Sequence, residues 1–178
     1  MYNLKRYNIN FLKYDLINKF NYSKTNDIPK LVKIVLTFSS KSFELKKLAS
    51  TLLALKLITN KNGTLTVSKK PNILLKIRKG NPVGCKIVLT KELMYKFLEK
   101  LIVNILPKMK NVINIKSNRN INCLNINLSN PLIFKELEKN YFLFNSLKNL
   151  QITIIFNSKS PTELLFLLNS FKLLVKSF

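Results

Sequence analysis

The chain has 178 residues and carries 31 Lys+Arg against 8 Asp+Glu, a formal net charge of +23, with no His. Hydrophobic residues make up 47%, so the chain is not a disordered basic tail and has enough apolar side chains for one real core. The missing His excludes Ser-His and Cys-His dyads and His-containing zinc sites, and two Cys, Cys85 and Cys123, are too few for a disulfide scaffold or a four-thiolate zinc site.

In chain order, Tyr7 to Phe20 spaces Ile9, Leu12, Leu16 and Phe20 at helical intervals. Asn21 to Pro29 is polar and turn-rich. Leu31 to Phe38 is short, β-branched and alternating, which predicts a strand. Leu45, Leu48, Leu52 and Leu55 mark one face of a helix, with Ser42 placed to cap it. Asn60 to Gly63 is a turn. Thr64 to Ser68 and Ile73 to Arg78 read as short strands, Lys79 to Gly84 as a loop, and Cys85 to Leu89 as a strand. Thr90 is placed to cap a helix through Leu93, Phe97, Leu101 and Ile105 that ends at Pro107. Val112 to Ser117 and Leu132 to Lys148 fit no single pattern. Leu124, Ile126 and Leu128 alternate with Asn125 and Asn127 as in a half-buried strand, and Gln151 to Phe156 is another. Ser160-Pro161-Thr162-Glu163 is the sharpest local signal: an N-cap Ser, a Pro at the first helical position and a capping-box Glu. A final helix, Thr162 to Val175, follows. This order predicts an α+β fold over residues 1–178: a two-layer sandwich of a mostly antiparallel sheet with helices packed on one face. The other face is left for a partner.

The charge points to a polyanion. A net +23 carries self-repulsion unless it is neutralised, and nucleic acid is the first candidate. Of the basic residues 28 are Lys and only Arg6, Arg78 and Arg119 are Arg. Lys suits phosphate contact better than bidentate base reading, so backbone- and shape-directed binding is expected, with strong salt dependence. Asn and Ile, at 24 and 18 residues, are also abundant; together with Lys, Phe and Tyr they mark an A/T-rich genome. The longest uncharged run, Asn120 to Phe134, contains five Asn, a Ser and a Pro, so no membrane span is expected. A peripheral protein of anionic membranes and a general basic RNA-binding protein or chaperone outside the ribosome are the alternative readings.

No catalytic constellation emerges. Glu136 and Glu138 are two apart and do not share a helical face. Glu92 and Glu99 lie about 10 Å apart by helical rise and fit a solvated face with Lys96. Gly80-Asn81-Pro82-Val83-Gly84 is no dinucleotide fingerprint, since no helix follows it directly. No enzyme activity, metal or cofactor is expected. The Phe residues sit mostly at apolar periodic positions and read as core, and the two Cys as buried small hydrophobes.

The most distinctive stretch is Lys76-Ile77-Arg78-Lys79-Gly80-Asn81-Pro82-Val83-Gly84-Cys85-Lys86-Ile87-Val88-Leu89. It is a basic hairpin-like loop in which glycines allow tight turns. It resembles the K-I-R-x-G-x-P-x-G-C-K-x-x-L signature of the universal large-subunit ribosomal protein five family, the 5S-rRNA-binding protein. Phe20-Asn21-Tyr22 with Ile28-Pro29-Lys30-Leu31-Val32-Lys33-Ile34, Phe97 to Ile102, Pro131-Leu132-Ile133-Phe134 with Glu136, and Leu150 to Ile154 with the capped last helix resemble further segments of that family. The resemblance covers about residues 7–175.

It implies a two-layer α/β domain on 5S rRNA in the central protuberance of the ribosome. It implies rRNA contacts, to 5S rRNA or its replacement and to large-subunit rRNA, at Lys30, Lys33, Thr37, Lys61, Lys69, Lys70, Lys86 and Arg119. It implies a loop contacting peptidyl-site tRNA at Lys76, Arg78, Lys79, Gly80, Asn81, Pro82 and Gly84. Segments near Lys108 to Lys116 and Glu138 to Leu147 would bridge to a small-subunit head ribosomal protein, beside neighbouring central-protuberance proteins. Two stretches depart from the family: Leu36-Thr37-Phe38-Ser39-Ser40 replaces an amide with a hydroxyl, and Asn118 to Asn125 keeps Arg119 and Asn122 but lacks the family's glycines. The first helix begins near Tyr7, as in the family, which predicts no cleaved transit peptide. With the codon bias, that gives a mitochondrial matrix protein of the mitoribosome large subunit, encoded in the organelle genome.

Overall fold

Five strands join in one antiparallel sheet of order β2-β3-β1-β5-β4, with helices packed against it. The computed structural model describes residues 4–39, 44–109 and 122–173. The strands are β1 (Leu31–Ser39), β2 (Thr64–Val67), β3 (Pro82–Leu89), β4 (Cys123–Leu128) and β5 (Leu150–Phe156). Their side-chain period of two explains the sheet. Ile34, Leu36 and Phe38 of β1 are buried, as are Cys85, Ile87 and Leu89 of β3, Leu124, Ile126 and Leu128 of β4, and Leu150, Ile152, Ile154 and Phe156 of β5. Each of these four strands thus turns one face to the core. The α+β sandwich expected from the sequence is the observed architecture.

The described residues form two compact units. One lies within 1–34, 89–126 and 153–178. It opens on helices α1 (Leu4–Tyr7) and α2 (Lys13–Lys19), joined without a break by a π-helical turn, Asn8–Leu12. That turn adds one residue and rotates the buried face. Leu12 and Leu16 are buried as their spacing predicts, but Ile9 is 56% exposed. The helix α4 (Lys91–Lys100) continues into a π-helical turn, Leu101–Ile105, and a 3-10 turn that carries Pro107 at its second residue. Met94, Phe97, Leu101 and Ile105 are its buried residues, with Leu93 at the margin. Thr90 is extended before α4 as a cap should be, yet makes no side-chain capping bond. Glu92 pairs instead with Lys5, Oε1 to Nζ 2.7 Å.

The same unit ends on α7 (Pro161–Ser170), and its N-terminus carries the full capping box. The Glu163 amide donates to Ser160 Oγ at 3.3 Å, and Glu163 Oε2 accepts from the Lys159 and Ser160 amides at 2.9 and 3.3 Å. The helix is shorter than the predicted Thr162 to Val175. Lys172 takes a left-handed conformation, φ 54°, the Leu173 amide reaches the Leu168 carbonyl, and the Lys172 amide reaches that of Asn169, both at 2.9 Å. This is a Schellman stop with Lys where Gly is usual. The Phe20-Asn21-Tyr22 segment packs on the start of this helix. The Phe20 ring meets Phe166 edge-on at 5.9 Å, and Lys19 Nζ lies 4.5 Å from the Phe166 ring centre.

The second unit lies within 35–88 and 127–152. It holds α3 (Leu45–Thr59), α5 (Lys135–Glu138) and α6 (Tyr141–Phe144), with α3 packed on both short helices. The buried face of α3 is Leu48, Thr51, Ala54, Leu55 and Ile58; Leu45 points to solvent. Its proposed cap, Ser42, lies outside the described residues. Leu132 to Lys148, which fits no single period, resolves into a 3-10 turn capped by Asn130, followed by α5 and α6.

Candidate nucleic-acid interface

Residues 45–91 contain eleven Lys and Arg and not one Asp or Glu. This acid-free stretch builds α3, β2, a hairpin and β3. Its positive field is therefore not cancelled within its own elements.

The hairpin connects β2 to β3. At its base the Ser68 amide donates to the Asn81 carbonyl and the Gly80 amide to the Ser68 carbonyl, both at 2.9 Å. Further out, Asn72 and Ile77 form an isolated antiparallel bridge, exchanging amide-to-carbonyl bonds of 2.9 and 3.0 Å. Between them Ile73 to Lys76 makes a tight turn. The Lys76 amide donates to the Ile73 carbonyl at 3.0 Å, and Asn72 Oδ1 accepts from the Leu75 amide at 3.3 Å. Lys76 closes the turn with φ 52°.

This corrects the predicted strand at Ile73 to Arg78. These residues have period-two chemistry, but only one backbone pair forms, and the segment ends as a hairpin tip. Of the K-I-R triplet, Ile77 is buried and anchors the hairpin, so Lys76 and Arg78 project outward.

The candidate loop residues divide. Lys76, Arg78, Lys79 and Gly80 are exposed on the hairpin, beside Lys69 and Lys70. Asn81 closes its base. Pro82 and Gly84 are not loop residues: they belong to β3, which begins earlier than predicted. Pro82 pairs with Val67 and Gly84 with Thr66, across a register shift between Thr66 and Val67. Gly80 has φ 89°, open to glycine and strained for other residues. A Cβ on Gly84 would collide with the Phe38 carbonyl oxygen and lie 3.0 Å from Thr66 Oγ1. Gly84 therefore lets β3 approach β1 closely.

The open sheet face of this unit carries most of the remaining candidates. Lys86 pairs with Thr64 across β3 and β2, and Thr64 Oγ1 donates to the Lys86 carbonyl at 3.3 Å. Thr37 alternates with buried Leu36 and Phe38, so it lies on the face away from the core, as Lys86 does. Asn127 and Gln151 on β4 and β5 are exposed beside buried neighbours. Lys61, after α3, donates from Nζ to the Val88 carbonyl at 2.7 Å. That bond fixes one lysine at the edge of the face. Among the described residues Lys69, Lys70, Lys76, Arg78, Lys79 and Lys86 have no ion-pair partner, so their charge is available to a ligand.

Lys30 and Lys33 belong to the other unit. Both are exposed, and the Lys30 carbonyl accepts from the Asn157 amide at 2.9 Å. Arg119 lies outside the described residues, as do most of the glycine-poor stretch and of the Lys108 to Lys116 segment. Sequence reasoning missed the aliphatic tip, Ile73 and Leu74. The turn-forming Pro71-Asn72 pair was the signal that could have shown it.

The buried cysteines are no part of this surface. Burial pushes the Cys85 thiol up, and a contact with Thr51 Oγ1 at 3.0 Å partly offsets it. Burial likewise raises Cys123. Among the described residues no cluster of three or more His, Cys, Asp or Glu could hold a metal, and no helix is long and apolar enough to cross a membrane.

The same surface is found within a known family. Residues 82–175 match the C-terminal part of the ribosomal uL5 protein family. The large ribosomal subunit protein uL5m of Reclinomonas americana is 33% identical over 177 residues, 97% of each chain. The protein uL5 of Wigglesworthia glossinidia brevipalpis is 34% identical over 160 residues, covering 88% of this chain and 89% of its own. The protein uL5c of Euglena longa is 35% identical over 152 residues, 83% and 84% of the two chains. An acid-free basic face without a catalytic group, carried on this fold, is therefore the surface of a structural, non-enzymatic ribosomal protein, and the chain belongs to the uL5 family of the large ribosomal subunit.

Proposed function

We infer that the chain binds 5S rRNA, or the RNA that takes its place, through the open sheet face and the lysines around it, and that the Lys69 to Asn81 hairpin meets peptidyl-site tRNA. The observation that carries this reading is the acid-free run 45–91, which puts unpaired cations on one hairpin and one polar sheet face. Thr37, Thr64, Asn127 and Gln151 offer hydrogen bonds to sugars and phosphates, and Lys61, Lys86, Lys69 and Lys70 offer charge. Such a surface positions RNA by backbone and shape rather than by base sequence. Lys30, Lys33 and Arg119 would extend the rRNA contact. The short helices α5 and α6 would face a small-subunit head protein within the central protuberance. The relatives include a mitochondrial protein, and with the A/T-rich codon bias this supports a place in the mitoribosome large subunit and an organelle gene.

The test is RNA crosslinking and sequencing from native ribosomes with this chain tagged. Crosslinks to 5S rRNA from β1 and β3, and to tRNA from residues 69–81, are expected. Crosslinks to large-subunit rRNA alone would remove the 5S partner, and scattered crosslinks with no ribosomal peak would overturn the reading.

A further inference from the structure

We propose that the hairpin grips its RNA with an aliphatic tip, Ile73 and Leu74, which packs against ribose and base surface while the surrounding cations hold phosphate. This rests on the reading that the hairpin meets tRNA, and names the chemistry of that contact. Ile73 is 93% exposed and Leu74 94%. Nothing in the fold needs them there: neither fills the core, and the turn is closed by backbone bonds and by the Asn72 side chain. The tip is also well held. The Asn72–Ile77 bridge, the bonds at Ser68 and buried Ile77 fix where it points. Two adjacent aliphatic side chains held outward on a built hairpin form a small wedge.

Charge decides what the wedge meets. Lys69, Lys70, Lys76, Arg78 and Lys79 surround it, with no acid anywhere in the run. A partner must be anionic around its edge and apolar at its centre. Folded RNA meets both demands, because sugar and base faces lie between phosphates. The cations then supply salt-dependent affinity and the wedge a salt-independent part.

The test uses large subunits carrying the full chain and reads the retention of peptidyl-site tRNA across a salt series. Three chains are compared: wild type, Ile73→Ser/Leu74→Ser and Arg78→Glu/Lys79→Glu. The tip variant should weaken tRNA retention by about tenfold with the salt slope unchanged. The charge variant should weaken it and flatten the slope. Both substitutions fall on exposed residues, and normal incorporation into subunits serves as the folding control. If the tip variant retains tRNA like wild type while the charge variant does not, the wedge is overturned and the tRNA reading stands. If both variants behave like wild type, the tRNA reading falls as well. If the tip variant leaves tRNA unchanged but loses binding of the free chain to phosphatidylglycerol vesicles, the wedge serves a membrane and the RNA proposal is overturned.

Discussion

Gly84 of β3 lies so close under the carbonyl of Phe38 in β1 that a Cβ there would collide with the oxygen. Ser39 Cα, 3.4 Å away, and Thr66 Oγ1, 3.0 Å away, close the remaining space. A backbone oxygen cannot move aside as the end of a side chain can. Gly84→Ala should therefore destabilise the fold by about 2 kcal/mol or more, read as a lower urea midpoint. Gly80 offers the contrast. Nothing lies within 4 Å of its would-be Cβ, but its φ is 89°. Gly80→Ala should cost only about 1 kcal/mol, from backbone strain. Equal losses in the two variants would contradict a packing role for Gly84.

The Ser160 cap gives a second prediction. Ser160→Ala removes the acceptor for the Glu163 amide and leaves a helix-end donor without its partner. A loss of about 1 kcal/mol in unfolding free energy is expected, and Ser160→Asp should retain most of the stability.

Tyr22 should confer an alkaline dependence. Burial of its hydroxyl, and then the nearby Glu163 carboxylate, push its pKa from 10.0 up to about 12. The folded state holds this proton more tightly than the unfolded state. The contribution is complete below pH 10 and is lost as pH rises through about 12. Denaturant midpoints measured between pH 9 and pH 12 should fall less steeply for Tyr22→Phe than for wild type. Parallel curves would show that Tyr22 does not titrate in this way.

Cys85 should be a slow thiol. It is buried, raised in pKa, and held against Thr51 Oγ1 at 3.0 Å and the Leu48 carbonyl at 3.8 Å. A thiolate-directed reagent should label it only as fast as the native state opens. Rapid labelling without unfolding would contradict the packing described for α3 and β3.

The signals legible in the sequence were local ones. Ser160-Pro161-Thr162-Glu163 needs only its own backbone to form a capping box, and it forms. The alternation of Leu124, Ile126 and Leu128, or of Ile152, Ile154 and Phe156, needs only the pleat of a strand. The lack of acids between Glu44 and Glu92, with the K-I-R-K-G stretch inside it, marks a basic hairpin before any coordinates. These features depend on short-range geometry and on charge, and both are written residue by residue.

The tertiary structure decided what depends on partners distant in sequence. Ile73 to Arg78 has the composition of a strand, yet a single backbone pair forms there and the segment became a tip. Ile9 fits the helical period, but a π turn rotated it outward. Lys172 ends α7 in a left-handed conformation usually held by Gly, because two carbonyls of the helix itself wait for its amide and that of Leu173. Gly84 reads as a loop glycine until β1 is placed above it. By itself the sequence determined the family, the basic face and the caps. Packing determined which apolar residues were spared from the core and left at the hairpin tip, since burial belongs to the neighbours a residue finds and not to the residue alone.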